Sequence, residues 1–368
     1  MGRVSLVRHT GGVSDSVSRA VDLIGGLGRY VRPNDRVLLK PNLNDTGVFT
    51  KISLTESLIQ MLLDLHARPF IAESTFGGAN MTDAIFRQTG YLDLAARYGI
   101  DIFNLNESRA VAVKVSRPLV TRSVRVAKEV LEADKIINLP TMKVHYATGI
   151  TICLKNLKGV LVGDEKRRFH EIGLDDAIVD LNNAVHPDLN VVDALTCMER
   201  MGPRGGDPLE MNVVLAGADA SEVDYVGMSL MGYDLDEVKY LKRFLELNDV
   251  DVNRVDVVGE RVDLVRHPFR KVNLGVVPSG FTVHEHGACS SCVNAFLLSC
   301  HTLDPAQTRT YDVYIGSHRE EGYGAGRSIA FGSCCPTRSS DIVVKGCPPY
   351  PFALKERIDA SVGKPEAR

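Results

Sequence analysis

The chain has no tryptophan among its 368 residues, so no indole anchors an interface or stacks on a cofactor. It also lacks any run of ~18 apolar residues, which excludes a transmembrane helix. The opening Met1-Gly2-Arg3-Val4-Ser5-Leu6 carries no apolar leader and puts Leu at position 6. Neither a signal peptide nor a myristoylation site is therefore expected, and a cytoplasmic protein is. An excess of one charge is missing too: 43 basic residues face 46 acidic ones, for a net charge of −3. That balance argues against a general binder of nucleic acid or membrane surfaces. Cysteine is scarce over the first 288 residues, which hold only Cys153 and Cys197.

What is present suits a globular protein with a large core, at 44% hydrophobic and 24% charged residues. The length allows two domains. Short apolar runs alternate with helical patterns through the first part. Strands are expected at Val4–Val7, Val37–Leu39, Pro69–Ala72, Asp101–Leu105, Lys135–Leu139, Asn190–Val192 and Asn212–Leu215. Helices are expected at 14–30, 54–65, 84–98, 175–184 and 222–231. This order predicts an α/β fold, a mostly parallel sheet with flanking helices. Ligands of such sheets bind beyond the carboxyl ends of the strands. The division expected is an α/β domain at 1–262, with a substrate cleft, and a smaller α+β cysteine-rich region at 263–368. In the latter, helices are expected at 292–300 and 354–360, and strands at 310–316, 328–332 and 341–345.

Six cysteines, Cys289, Cys292, Cys300, Cys334, Cys335 and Cys347, fall within 59 residues. Without secretion, such a cluster points to metal or redox work rather than disulfides. Cys289 and Cys292 form a CxxC pair opening a helix, whose N–H groups favour thiolates. Gly332-Ser333-Cys334-Cys335-Pro336 offers a third ligand, and Gly346-Cys347-Pro348-Pro349 a fourth. Four thiolates from three loops fit one 4Fe–4S cluster. A four-cysteine zinc site would use the same residue types, although only one tight pair is present here. Buried thiols at incidental spacing are the third alternative. Between Cys334 and Cys335, Cys334 is preferred because it sits nearer the Gly332 turn. Cys300 reads as a core residue.

Residues 143–170 hold six Lys or Arg against two acids, a local charge of +4. Lys143, His145, Lys155 and Asn156 stand among apolar residues, where burial without a role costs several kcal/mol. With Lys40, Asn42, Lys158 and His170 they form a candidate site for a carboxylate or phosphate. His145, Lys143 and Lys155 are the catalytic candidates, with His145 or His170 as proton donor. Lys166, Arg167 and Arg168 read as a solvated basic surface. Gly202–Asp207 reads as an ordinary loop rather than a phosphate cradle, with Glu199 facing the same cleft. Asp193 is either an acid–base group or a helix cap.

The runs Asn138-Leu139-Pro140-Thr141-Met142-Lys143-Val144-His145 and Leu154-Lys155-Asn156-Leu157-Lys158-Gly159 resemble the signature of domain-of-unknown-function family 362. So do Lys40-Pro41-Asn42-Leu43, Val192-Asp193, Met201-Gly202-Pro203 and Val223-Asp224. The resemblance spans about residues 35–235 and implies an intracellular iron–sulfur protein. The family's repeated ferredoxin-type cysteine run is absent, which implies one cluster rather than two. The function expected is an oxidoreductase that passes electrons from the cluster to a small anionic substrate. The partners are that substrate and a ferredoxin-like electron donor, with a homodimer allowed. A non-redox isomerase or racemase is the first alternative, because the family's core is distantly similar to that of lactate racemases. An electron carrier without its own substrate site is the second.

Overall fold

The computed structural model describes residues 2–44, 46–272, 277–288, 290–304, 309–317, 327–336, 340–346, 348–350 and 352–362. Two compact units emerge. One comprises Met1–Phe169 and Asp175–Val272, and the other His170–Leu174 and Asn273–Arg368.

The first unit is a mixed α/β structure around a ten-stranded sheet. Its chain begins with β1 (Arg3–Arg8), α1 (Val13–Asp22), β2 (Arg36–Pro41), α2 (Ile52–Asp64) and β3 (Arg68–Glu73). Helices α3 (Ala79–Gln88) and α4 (Tyr91–Tyr98) lead to β4 (Ile102–Asn104), and a separate hairpin pairs β5 (Ala110–Lys114) with β6 (Ser123–Ala127). A short α5 (Lys128–Leu131) precedes β7 (Lys135–Leu139), β8 (Thr141–His145), β9 (Gly149–Thr151) and α6 (Cys153–Asn156). Then come α7 (Glu165–Ile172), α8 (Leu174–Asn182), β10 (Leu189–Glu199) and β11 (Asp207–Gly217). The unit ends with α9 (Ala220–Leu230), α10 (Lys239–Leu247), β12 (Asp256–Gly259) and α11 (Val262–Val265).

The strand order is β12-β1-β11-β10-β7-β2-β3-β4, with β8 beside β10 and β9 beside β8. Pairing is parallel from β10 through β7, β2, β3 and β4, and again for β10–β8 and β12–β1. Strand β11 runs against both its neighbours, and β9 against β8. Central parallel strands are covered on both faces, so their apolar runs are continuous. Val37, Leu39, Ile71, Ile137 and Val191 all lie in one core with Leu58 and Ile59 of α2.

Register brings the chemistry to one edge. Lys40 of β2 stands beside Asn138 of β7, and Leu39 one step earlier beside Ile71 of β3. The helix expected over 84–98 is two helices, because Gly90 adopts a left-handed conformation at φ 78 between them. The helix expected over 14–30 stops at Asp22 and is followed by a single 3-10 turn at Leu27–Arg29.

The second unit holds a four-stranded, wholly parallel sheet in the order β13 (Phe281–His286), β14 (Tyr311–Gly316), β15 (Ser328–Phe331) and β16 (Ile342–Val344). Helices α12 (Ser290–Cys300) and α13 (Ala353–Val362) share one core with Val313, Ile315, Ile329 and Phe331. Phe296 of α12 meets Phe331 edge-on at 5.5 Å.

A buried carboxyl ties α9 to α6. Asp224 accepts the Cys153 N–H at 2.6 Å and the Leu154 N–H at 3.2 Å, satisfying the first turn of α6. Burial pushes this carboxyl up to about 7, against those two donors. Between pH ~4 and ~7 the folded protein keeps a proton that the unfolded chain has released, so this group's contribution to stability falls as pH rises. Asp224→Asn keeps an acceptor for Cys153 and removes the ionisation. Urea midpoints measured across that window are expected to fall with pH in the wild type and to flatten in the variant, by a few kcal/mol (roughly) over the window.

Candidate functional site at the carboxyl edge of the sheet

Five side chains from five segments form a buried polar chain. Lys143 of β8 donates to Asn42 Oδ1 at 2.9 Å and to the Val48 carbonyl at 2.5 Å. Asn42 Nδ2 donates to Asn156 Oδ1 at 2.9 Å. Asn156 donates on to Asn138 Oδ1 at 2.8 Å and to the Lys40 carbonyl at 3.3 Å. Asn138 in turn donates to Asn190 Oδ1 at 2.9 Å. All five are buried. An amide left unmatched at such depth costs about 1–3 kcal/mol, so each orientation in the chain is fixed by the next.

Lys40 itself is fully buried, and its ammonium donates to Glu73 Oε2 at 2.6 Å and to the Pro41 carbonyl at 2.9 Å. Burial lowers this amine, against the Glu73 charge that raises it. Gly159 closes over the pair. A Cβ there would stand 1.9 Å from Glu73 Oε1 and 2.6 Å from Lys40 Nζ. The glycine of the Leu157-Lys158-Gly159 run is thus explained by close approach.

Lys166 corrects the sequence reading, which places it on a solvated surface. It is buried, and its amine reaches the Ser74 carbonyl and hydroxyl, both at 2.5 Å, and the Thr75 carbonyl at 3.0 Å. Burial lowers it to about 7. The signal that finds it is helical spacing: Lys166 shares the inward face of α7 with Phe169 and His170, three and four residues on. Arg167, by contrast, is exposed.

Lys155 sits in α6 with its amine 3.0 Å from Thr151 Oγ1. Burial pushes it well below the ordinary lysine range, with the Lys158 and Lys143 charges adding to the effect and Asp175 opposing it. Lys158, the next cation along, is half-buried. His145 is buried, its ring stacked on Tyr146 at 4.9 Å. Its Nδ1 lies 3.0 Å from the Ala147 N–H, so in the neutral ring the proton is on Nε2. The loop after β10 lies against this strand: the Tyr146 N–H donates to the Gly202 carbonyl at 3.2 Å, and Arg204 donates to Asn44 Oδ1 at 2.9 Å.

The remaining candidates have other engagements. Asp193 accepts the Lys51 N–H at 2.6 Å at the start of α2, so it is a helix cap. Burial raises it to about 6. Glu199 is held by Arg270 through both its backbone and its guanidinium. His170 is buried and belongs to the second unit.

In the second unit, Cys292 is buried in α12, and its Sγ lies 3.2 Å from where a Cβ on Gly332 would stand. Gly332 opens the Cys334–Cys335 turn. Ser333 donates from its N–H to the Gly346 carbonyl at 2.8 Å, and the Gly346 N–H donates back to Ser333 Oγ at 3.2 Å. Cys334 is exposed. Cys335 is buried with Tyr314 and Ala330, apart from the core that holds Cys292 and Cys300. Cys289 and Cys347 lie outside the described residues. Among the described residues no group of three His, Cys, Asp or Glu is arranged to hold a metal ion.

The first unit buries four lysine amines in this region and pairs one of them, Lys40, with the Glu73 carboxylate. Its packing yields a direct expectation. Gly159→Ala drives a methyl into the Lys40–Glu73 pair. It is expected to lower stability by roughly 3–5 kcal/mol, the scale for breaking a buried ion pair. Denaturant unfolding of the variant measures this, and a midpoint unchanged from wild type would refute the close approach.

Residues 37–229 match the family model described as Domain of unknown function (DUF362). A thylakoid-associated protein of Synechocystis sp. is 32% identical over 247 residues, covering 63% of this chain and 75% of its own. A lactate racemase apoprotein structure from Thermoanaerobacterium thermosaccharolyticum aligns with a TM-score of 0.45 at 11% identity, over 85% of this chain and 68% of its own. A crystal structure of a Thermotoga maritima protein aligns with a TM-score of 0.40 at 11% identity, over 84% and 72%. No described helix is long and apolar enough to cross a membrane. By the match over 37–229, more than half its length, the chain belongs to the DUF362 family.

Proposed function

We propose that the protein is an iron–sulfur oxidoreductase. In this reading a single 4Fe–4S cluster is held by the second unit, and a small carboxylate or phosphate substrate by the carboxyl edge of the first unit's sheet. The observation that carries it is the approach of Cys292 to Gly332, whose neighbour Ser333 exchanges hydrogen bonds with Gly346. Gly332 and Gly346 lead into Cys334 and Cys347, and α12 begins beside Cys289. Gly332 leaves the flank of the Cys292 sulfur clear of a side chain, as a group larger than a thiol requires. Backbone N–H groups at the start of an eleven-residue helix favour thiolate charge. Cys334 is preferred to Cys335 as third ligand, because Cys335 packs with Tyr314 and Ala330. Such a cluster, when bound, would supply single electrons.

The chain's own residues supply the rest. Lys143, oriented by Asn42 and the Val48 carbonyl, would hold the substrate's negative charge. Lys158, half-buried on the same segment, adds positive potential. His145 would give a proton from Nε2, its ring held by Tyr146 and the Ala147 N–H. A ferredoxin-like protein is the proposed electron donor.

Anaerobic purification followed by iron, sulfide and zinc counts tests the cluster. About four irons per chain are expected for a cluster of this type. Cys292→Ala and Cys334→Ala are expected to lose them, while Cys153→Ala and Cys197→Ala, buried in the first unit, keep them. Stoichiometric zinc without iron would refute the reading. For the anion site, Lys143→Met is expected to weaken a carboxylate or phosphate ligand found by thermal shift by about 1.5–3 kcal/mol, the scale of a hydrogen bond to a charged group.

A further inference from the structure

Strands β5 and β6 form a sheet of their own, outside the ten-stranded one. Their composition is unlike the rest of the chain. Residues 109–128 hold six Lys or Arg and no Asp or Glu, a local excess that the net charge of −3 conceals. Register sorts the hairpin into two faces. Val124 and Val126 are buried, while Lys114 and its cross-strand neighbour Ser123 are exposed, as is Arg125.

The turn at the tip reads Arg117-Pro118-Leu119-Val120-Thr121-Arg122. Leu119 and Val120 are 41% and 37% exposed. The backbone holds them that way. The N–H groups of Leu119, Val120 and Thr121 all donate to the carboxylate of Asp180, at 2.6, 2.9 and 2.7 Å, and Asp180 is fully buried in α8. Three donors on one carboxylate point the peptide groups inward and leave the aliphatic side chains outward. Because those donors are already matched, taking the tip out of water strands none of them.

Cations surround this tip. Lys114 and Arg122 are exposed and make no ion pair with a described residue. Arg117 meets Asp249 at 3.6 Å and Arg125 meets Glu165 at 2.9 Å, each with about half its side chain still in water. Arg168 of α7, 47 residues beyond Thr121, donates to the Thr121 hydroxyl at 2.5 Å. Two stretches distant in sequence thus make one basic surface around one aliphatic turn.

We propose that this hairpin docks the protein on an anionic lipid bilayer, with Leu119 and Val120 entering the boundary between headgroups and acyl chains and the cations meeting lipid phosphates. The patch selects its occupant. A nucleic acid would match the charge, but residues 109–128 contain no aromatic ring on which a base could stack. A protein partner needs a contact face of about 800 Å², whereas a bilayer accepts a narrow turn. Two aliphatic side chains and a few cations give weak, reversible and salt-sensitive attachment. The inference is independent of the proposed redox reaction.

Sedimentation of the full chain with vesicles tests it, using phosphatidylcholine alone and phosphatidylcholine mixed with phosphatidylglycerol. At low salt, partitioning to the anionic vesicles is expected to exceed that to the neutral ones at least tenfold. Raising salt to about 0.5 M is expected to abolish the difference. Lys114→Glu combined with Arg122→Glu is expected to weaken partitioning at least tenfold. Leu119→Ser combined with Val120→Ser is expected to weaken it severalfold and to leave the salt dependence in place. All four positions are exposed, so circular dichroism and urea midpoints are expected to match wild type. The same charge reversal at Arg32, exposed before β2, is expected to change nothing. Equal partitioning to both vesicle types, none to either, or a loss with Arg32→Glu as large as with the double reversal would overturn the proposal. So would tight binding of a single-stranded RNA oligomer that depends on Lys114 and Arg122 while the vesicles stay bare, which would assign the surface to nucleic acid.

Discussion

The burial of lysine amines at the carboxyl edge of one sheet is the constraint on which the site depends. An ammonium brought out of water must find oxygen or lose its proton, and the four buried lysines resolve this differently. Lys40 takes a carboxylate, Glu73, at 2.6 Å. Lys143 takes an amide and a carbonyl oxygen, and Lys166 two carbonyls and a hydroxyl. Lys155 has a single hydroxyl. Among the hydrogen bonds of the described residues, Lys155 has the fewest. The group with least compensation is also the one whose neutral form burial favours strongly.

The asparagines explain how the arrangement holds. Asn42, just after β2, and Asn138, Asn156 and Asn190 of β7, α6 and β10 pass hydrogen bonds in one direction. An amide is donor and acceptor at once, so it can link neighbours without adding charge to a region already rich in it. Aspartate at any of these positions would accept but not donate, and would introduce a buried charge. This is a physical reason for Asn156 in the Leu154-Lys155-Asn156 run, where periodicity alone reads only a short amphipathic turn.

Much of this was legible in the sequence, and the failures have causes. Alternation of strands and helices gave the parallel core, and strand tails pointed to Lys40, Asn42 and Lys143. The hairpin of β5 and β6 and the edge strand β13 were passed over, since Phe281-Thr282-Val283-His284-Glu285-His286 alternates polar and apolar residues too weakly to stand out. Lys166 was read as solvent-facing because it lies in a run of three cations. The helix carrying that run turns one of the three inward and leaves Arg167 outside. The pairing of Lys40 with Glu73, 33 residues on at the end of β3, follows from sheet register and not from local pattern.

The second unit shows the same economy by other means. Its sheet is parallel throughout, so the ends of β15 and β16 lie on one side, where the turns after them can reach each other. Ser333 and Gly346 exchange hydrogen bonds across that gap. Helix α12 enters with Cys292 against Gly332, where a larger residue would collide with the sulfur. Parallel register, a serine–glycine clasp and one glycine bring the Cys292 thiol to the turn that bears Cys334. The tandem neighbour Cys335 is turned into a separate apolar contact with Tyr314 and Ala330. Two adjacent cysteines thus meet different environments because successive residues of a turn leaving a strand face different sides of it. That geometry is what distinguishes a ligand candidate from a packing residue when the sequence offers both side by side.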